Sequence, residues 1–106
     1  MIASDDKRTA LEFKRRAAAL VAILQFCVFG SRARGDATAD SDLDVFLVVD
    51  HMDADLRARI SEVAWEVGFE NDLVLSTFVV TAEQLERGPL GVSPIIRQIE
   101  KEGVRL

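Results

Sequence analysis

The chain has one cysteine, Cys27, and one histidine, His51, and each scarcity closes off a class of chemistry. A lone cysteine excludes an intramolecular disulfide, and its apolar neighbours make it a core residue rather than a nucleophile. The histidine has no Cys or His partner nearby, which excludes a zinc site of the usual kind and leaves a loop or helix-entry residue. No apolar run approaches the roughly 20 residues that span a bilayer. The N-terminus is charged where a signal peptide would be apolar, so the expectation is a cytoplasmic protein with no membrane contact. A basic excess is also missing. Lys and Arg number 13 against 18 Asp and Glu, and the net charge of −5 makes a nucleic-acid backbone a poor direct ligand. Repeats, low-complexity tracts and linkers are absent, and 106 residues suit one domain over 1–106 with one core.

Helices and strands can be placed from periodicity. Ala10, Phe13, Ala17, Leu20, Val21 and Leu24 form one helical stripe, which predicts a helix from Ser4, as N-cap, to about Ala22. Strands follow over about 23–29 and 43–49. A second long helix runs from about Asp53 to Val67, with Leu56, Ile60, Val63 and Val67 inward and Gly68 as a left-handed C-cap. Trp65 lies off that stripe, where it covers a secondary contact or a partner surface. A third strand is expected from Asp72 to Val80. Thr81 and Gln84 read as a capping box opening a short helix that Gly88-Pro89 breaks. Ser93-Pro94 reads as the start of a last helix ending at Gly103, with an extended tail beyond it. Helices alternating with strands predict an α/β or α+β domain, a small sheet covered by helices.

The most informative stretch runs from Gly30-Ser31 through Arg32 and Arg34 to Asp42-x-Asp44, between two strands. Alternate residues of a strand share a face, so Asp42 and Asp44 project side by side. Two adjacent carboxylates form a hard-oxygen site suited to Mg²⁺ held together with substrate phosphates. Gly30 and Ser31 are small where a backbone must approach phosphate, and Ser31 adds a hydroxyl donor. Guanidinium binds phosphate bidentately, which makes Arg32 and Arg34 candidates for the β- and γ-phosphates. A tight turn with solvated charges would use the same residues.

Gly30-Ser31, ten intervening residues (32–41) and Asp42-x-Asp44 resemble the signature of the DNA polymerase beta superfamily. The fuller pattern resembles its minimal nucleotidyltransferases, small proteins often paired with a helical partner called HEPN. The resemblance covers nearly the whole chain and implies the polymerase-beta-like fold. It implies transfer of a nucleoside monophosphate, with ATP as donor and two Mg²⁺ ions roughly 3.5–4 Å apart at the reacting phosphate. Asp42, Asp44 and Asp72 would hold the metals and carry catalysis, Asp72 matching the family's third acid, with Glu70 a competing acid. Gly30, Ser31, Arg32 and Arg34 would bind the nucleotide. The acceptor would be a hydroxyl on the HEPN-type partner, a ribonuclease toxin silenced by this chain as antitoxin, in a homo- or hetero-oligomer. Transfer to a small molecule, as in aminoglycoside nucleotidyltransferases, is the alternative within enzymes. A binding module that neutralises its partner by contact alone is the alternative outside them.

Overall fold

The computed structural model describes residues 1–88 and 93–106. Its elements run α1 (Ser4–Ala18), β1 (Ile23–Phe29), α2 (Gly30–Arg34), β2 (Leu43–Val49), α3 (Ala54–Glu70), β3 (Leu75–Thr81), α4 (Ala82–Arg87), α5 (Pro94–Glu102) and β4 (Val104–Arg105). The sheet order is β3-β2-β1-β4. β2 and β3 are parallel, joined through α3, whereas β1 is antiparallel to both β2 and β4. The result is a mixed four-stranded α/β sheet, and strand alternation divides its side chains between two cores. Leu43, Val45, Leu47 and Val49 face α1 and α3, meeting Ala10, Phe13, Ala17, Ile60 and Val67. Phe46 and Val48 face the other way, toward Cys27, Val80, Ile96 and Ile99. The Phe46 and Phe78 rings meet edge to face at 5.5 Å on that side.

The first two strands have the bounds expected of them, and the Thr81–Gln84 capping box is present with both reciprocal bonds. Pro89 lies outside the described residues. Six expectations are corrected. α1 ends at Ala18, its N-cap is Ala3, and Leu24 is an exposed strand residue rather than part of the helical stripe. α3 continues past Gly68 and is capped at Asn71. Gly68 is not a left-handed stop but a close approach, since a Cβ there would sit 2.6 Å from the Leu73 carbonyl oxygen. β3 starts at Leu75, not Asp72, because the chain first turns, with the Asn71 and Leu73 N–H groups both donating to the Gly68 carbonyl. The tail after Gly103 pairs with β1 as β4.

An ion pair ties the helical layer to the loop that precedes β2. Arg32 on α2 donates to Asp6 on α1 at 2.8 Å, and both side chains are only 12% exposed. The same guanidinium donates to the carbonyls of Ser41 and Ala39. Removing one partner strands the other charge away from water. Asp6→Ala should therefore lower stability by about 3 kcal/mol, measurable by urea denaturation.

Candidate active site

The site grows from the junction between β1 and α2. β1 ends at Phe29, extended, and the next residue, Gly30, turns the chain with φ +74°. Only glycine takes that conformation without steric cost. A single helical turn follows, closed by Gly35 at φ +83°, whose N–H donates to the Ser31 carbonyl at 3.0 Å. The loop then returns to β2, which brings Asp44 opposite Phe29 in the antiparallel register. A Cβ on Gly30 would collide with the Asp44 carboxylate, whose Oδ2 occupies that space. Gly30 is small because the backbone must pass beneath this carboxylate, a reason that complements close approach of phosphate.

Asp44 is partly buried, and Asp42, just ahead of β2, is exposed. Burial holds the Asp44 carboxyl above the usual carboxylate range; the Asp42 charge pushes the same way, and Arg34 opposes both. Asp42, Asp44, Gly30 and Arg34 therefore share one neighbourhood. Arg34 is 42% exposed and held by long ion pairs to Asp36 at 3.3 Å and Glu102 at 3.4 Å, so its guanidinium can exchange partners. It borders a cavity of about 210 Å³ between α2 and α5, lined also by Phe29, Gly30, Ile95, Gln98 and Ile99. The Ser31 side chain is partly exposed on the same turn.

Three residues singled out from sequence stand elsewhere. Asp72 is not on a strand: it sits at φ +55° in the turn after α3, lining a separate cleft with Asp40 and Ser41. The turn arises because Asn-Asp tolerates the left-handed region, the ordinary use of that pair. Glu70 is on α3, accepting from Arg16 of α1 at 2.8 Å. Arg32 is held by Asp6 and two carbonyls, its side chain only 12% exposed. Arg32→Ala should thus destabilise the protein much as Asp6→Ala does, while leaving nucleotide affinity of the folded fraction unchanged by calorimetry. Among the described residues no three His, Cys, Asp or Glu side chains cluster closely enough to hold a metal.

One further side chain stands beside the site. The parallel register sets Ser76 of β3 against Asp44, on the same sheet face. Strand alternation from Asp72 already puts Ser76 on the face of Asp72, and the fold keeps Ser76 on that face while Asp72 falls outside the strand. His51 is exposed 3.7 Å from Asp50, and burial pushes the Cys27 thiol up to about 11, so neither enters the site. No helix is long and apolar enough to cross a membrane, among the described residues.

The donor set suits a hard divalent cation. Two carboxylates that repel one another, one of them partly desolvated, gain from a shared cation, and Mg²⁺ needs only one or two carboxylates when phosphates and waters complete its shell.

A family model described as a nucleotidyltransferase domain matches residues 7–106. No curated protein matches the chain. A crystal structure of a toxin-antitoxin with AMP-PNP superposes with TM-score 0.62 at 18% identity, covering 93% of this chain and 70% of that one. A mutant of the toxin-antitoxin MntA-HpeT gives TM-score 0.59 at 16% identity, covering 97% and 72%. A second mutant of that pair gives 0.53 at 17%, covering 94% and 69%. At these identities the likeness is one of fold.

Proposed function

Because the chain belongs to the nucleotidyltransferase domain family, matched over residues 7–106, we propose that it moves AMP from ATP onto a hydroxyl of a partner protein. The partner is a HEPN-type ribonuclease toxin, and the chain is its antitoxin. The observation that carries the catalytic half is the Asp44 carboxylate lying over Gly30, with the Asp42 charge beside it and Arg34 opposing. The partner half draws on the fold neighbours, which are toxin-antitoxin structures, one of them with AMP-PNP.

In this reading the triphosphate lies along the Gly30–Ser31 turn, where the missing side chain admits its oxygens and Ser31 donates a hydroxyl hydrogen bond. Arg34 leaves Asp36 and Glu102 to pair with the outer phosphates. Asp42 and Asp44 would hold Mg²⁺, which when bound neutralises charge on the reacting phosphate. The acceptor hydroxyl oxygen attacks the α-phosphorus and gives its proton to solvent, the bond from the α-phosphorus to the bridging oxygen breaks, and pyrophosphate leaves. The net charge of −5 disfavours nucleic acid as the acceptor, which is consistent with a protein hydroxyl.

Incubation with ATP, Mg²⁺ and a HEPN-type helical protein supplied as the partner should raise that protein's mass by one nucleoside monophosphate. Tight binding with no mass change would favour neutralisation by contact. Transfer to an aminoglycoside alone would favour small-molecule chemistry. Asp72→Asn should leave transfer within about twofold of wild type, since surface changes away from a site are worth only tenths of a kcal/mol. A large loss would return Asp72 to the site.

A further inference from the structure

α3 carries two uncharged stripes where a helix on one core needs one. Leu56, Ile60, Ala64 and Val67 face inward and are buried. On the opposite side Ala54, Ala58, Ser61, Trp65 and Phe69, spaced three and four apart, form a second stripe facing solvent. A solvated helix face is ordinarily charged, and a helix apolar on two sides is covered on two sides. Trp65 and Phe69 are 68% and 72% exposed, yet they stack on each other with centroids 5.3 Å apart and planes within 14°. Val74, 63% exposed, extends the patch toward the edge strand β3. Between the aromatic pair and that strand lies a cleft of about 360 Å³, floored by Leu75 and Thr77 and sized for an apolar side chain.

The charges beside the stripe specify what covers it. Asp55, Glu62 and Glu66 lie along one flank and exposed Arg57 along the other; Asp55 is paired with Arg59 at 3.0 Å, and Glu62 and Glu66 make no ion pair among the described residues. A second copy of this chain is a poor occupant. Antiparallel pairing about Trp65 sets each flank against the same flank of the mate, Glu62 opposite Glu66, and like charges there oppose association. We propose that this face docks an amphipathic helix of another protein, with an apolar stripe seated on Trp65 and Phe69 and Lys or Arg along its edge meeting Glu62 and Glu66. Aromatic residues at the centre of a patch with charges at its rim are the usual anatomy of a specific interface. Phe69 also borders the cleft lined by Asp40 and Ser41, so the docked helix lies along the loop that leads into Asp42. The link from this face to group transfer rests on the proposed function; the docking itself does not.

Trp65 is the only tryptophan in a chain without tyrosine, so its emission reports this surface directly. The full chain is titrated with a synthetic helix of about 18 residues, long enough to fold alone. It carries a leucine stripe flanked by lysines, and a second peptide carries glutamates in their place. The lysine peptide should shift the emission to the blue and bind at least tenfold more tightly than the glutamate peptide. Phe69→Ser should weaken it at least tenfold, and the double change Glu62→Lys, Glu66→Lys should reverse the preference, circular dichroism showing each variant folded. No shift with the lysine peptide, or equal shifts with both, overturns the proposal. A blue shift that grows with protein concentration alone also overturns it, assigning the face to a second copy. Calorimetry with ATP and Mg²⁺ runs in parallel. Peptide docking without nucleotide binding supports this inference and refutes the catalytic reading; nucleotide binding without docking does the reverse.

Discussion

Asp44→Asn is expected to abolish magnesium-dependent ATP binding while raising the melting temperature of the nucleotide-free protein at pH 7. The two effects have one origin. Burial and the Asp42 charge hold the Asp44 carboxyl above its ordinary range, so the folded protein keeps this proton more tightly than the unfolded chain does. Below the unfolded pKa, near 3.9, both states are protonated and the group costs nothing. As pH rises past that value the unfolded chain releases its proton first and stability falls, until the raised folded pKa is passed and a constant penalty remains. Asparagine carries no such penalty, so the variant should melt higher than wild type at neutral pH, and the gap should close toward pH 3. Affinity for ATP with Mg²⁺ should drop by at least ~100-fold, since even losses behind the direct metal ligands typically cost 10–100-fold. Asp42→Asn should show the same signs with a smaller thermal gain, because Asp42 is exposed and acts on Asp44 only through its charge. Calorimetry and thermal denaturation from pH 3 to 7 read both effects. Unchanged ATP affinity in both variants would move the site elsewhere.

Gly30→Val should be the most damaging single change at the turn. The backbone there has φ +74°, which costs a β-branched residue on the order of 1–3 kcal/mol. The Cβ would also enter the volume held by Asp44 Oδ2. The carboxylate must rotate away or the β1–α2 turn must open, and either breaks the pairing of Asp44 with Asp42. The protein should still fold, since the strain falls on one turn while the bulk of both cores packs through the sheet, α1, α3 and α5, but ATP binding should vanish. Gly30→Ala should lose binding to a similar extent with a smaller loss of stability, because alanine meets the same Asp44 contact with less crowding at φ. A folded valine variant with normal nucleotide affinity would remove Gly30 and Asp44 from the site together.

β1 and β2 were legible to the residue because they are short apolar runs bounded by polar or small residues, the pattern strands leave most clearly. The contact of Gly30 with Asp44 was not legible, because it depends on β1 and β2 lying side by side and antiparallel with Phe29 against Asp44, which strand bounds alone do not fix. The start of β3 was not legible. Leu73 and Val74 are as strand-like as the residues after them, and the turn ahead of β3 depends on the Leu73 carbonyl packing against Gly68 where a Cβ would stand. That tertiary contact leaves only a glycine in the sequence, where it reads as a helix stop. With the strand begun early, Asp72 fell on the sheet, on the same face as Ser76, and only Ser76 belongs there. Arg32 and Arg34 were indistinguishable for a different reason. Either can bind phosphate, and what separates them is Asp6, 26 residues from Arg32 and on another helix. Trp65 stood out from the periodicity of α3, but its exposure and its stacking on Phe69 required the folded chain.

The central claim is that the α-phosphoryl group, with its nucleoside, is what moves. Two parallel incubations with the helical partner and Mg²⁺, one with ATP labelled at the α-phosphate and one labelled at the γ-phosphate, test it directly. Partner protein retaining the α-label while the γ-label leaves as pyrophosphate, with both signals lost in Asp44→Asn, is the predicted result. Partner protein retaining the γ-label, or neither label while ATP binds normally, would contradict it.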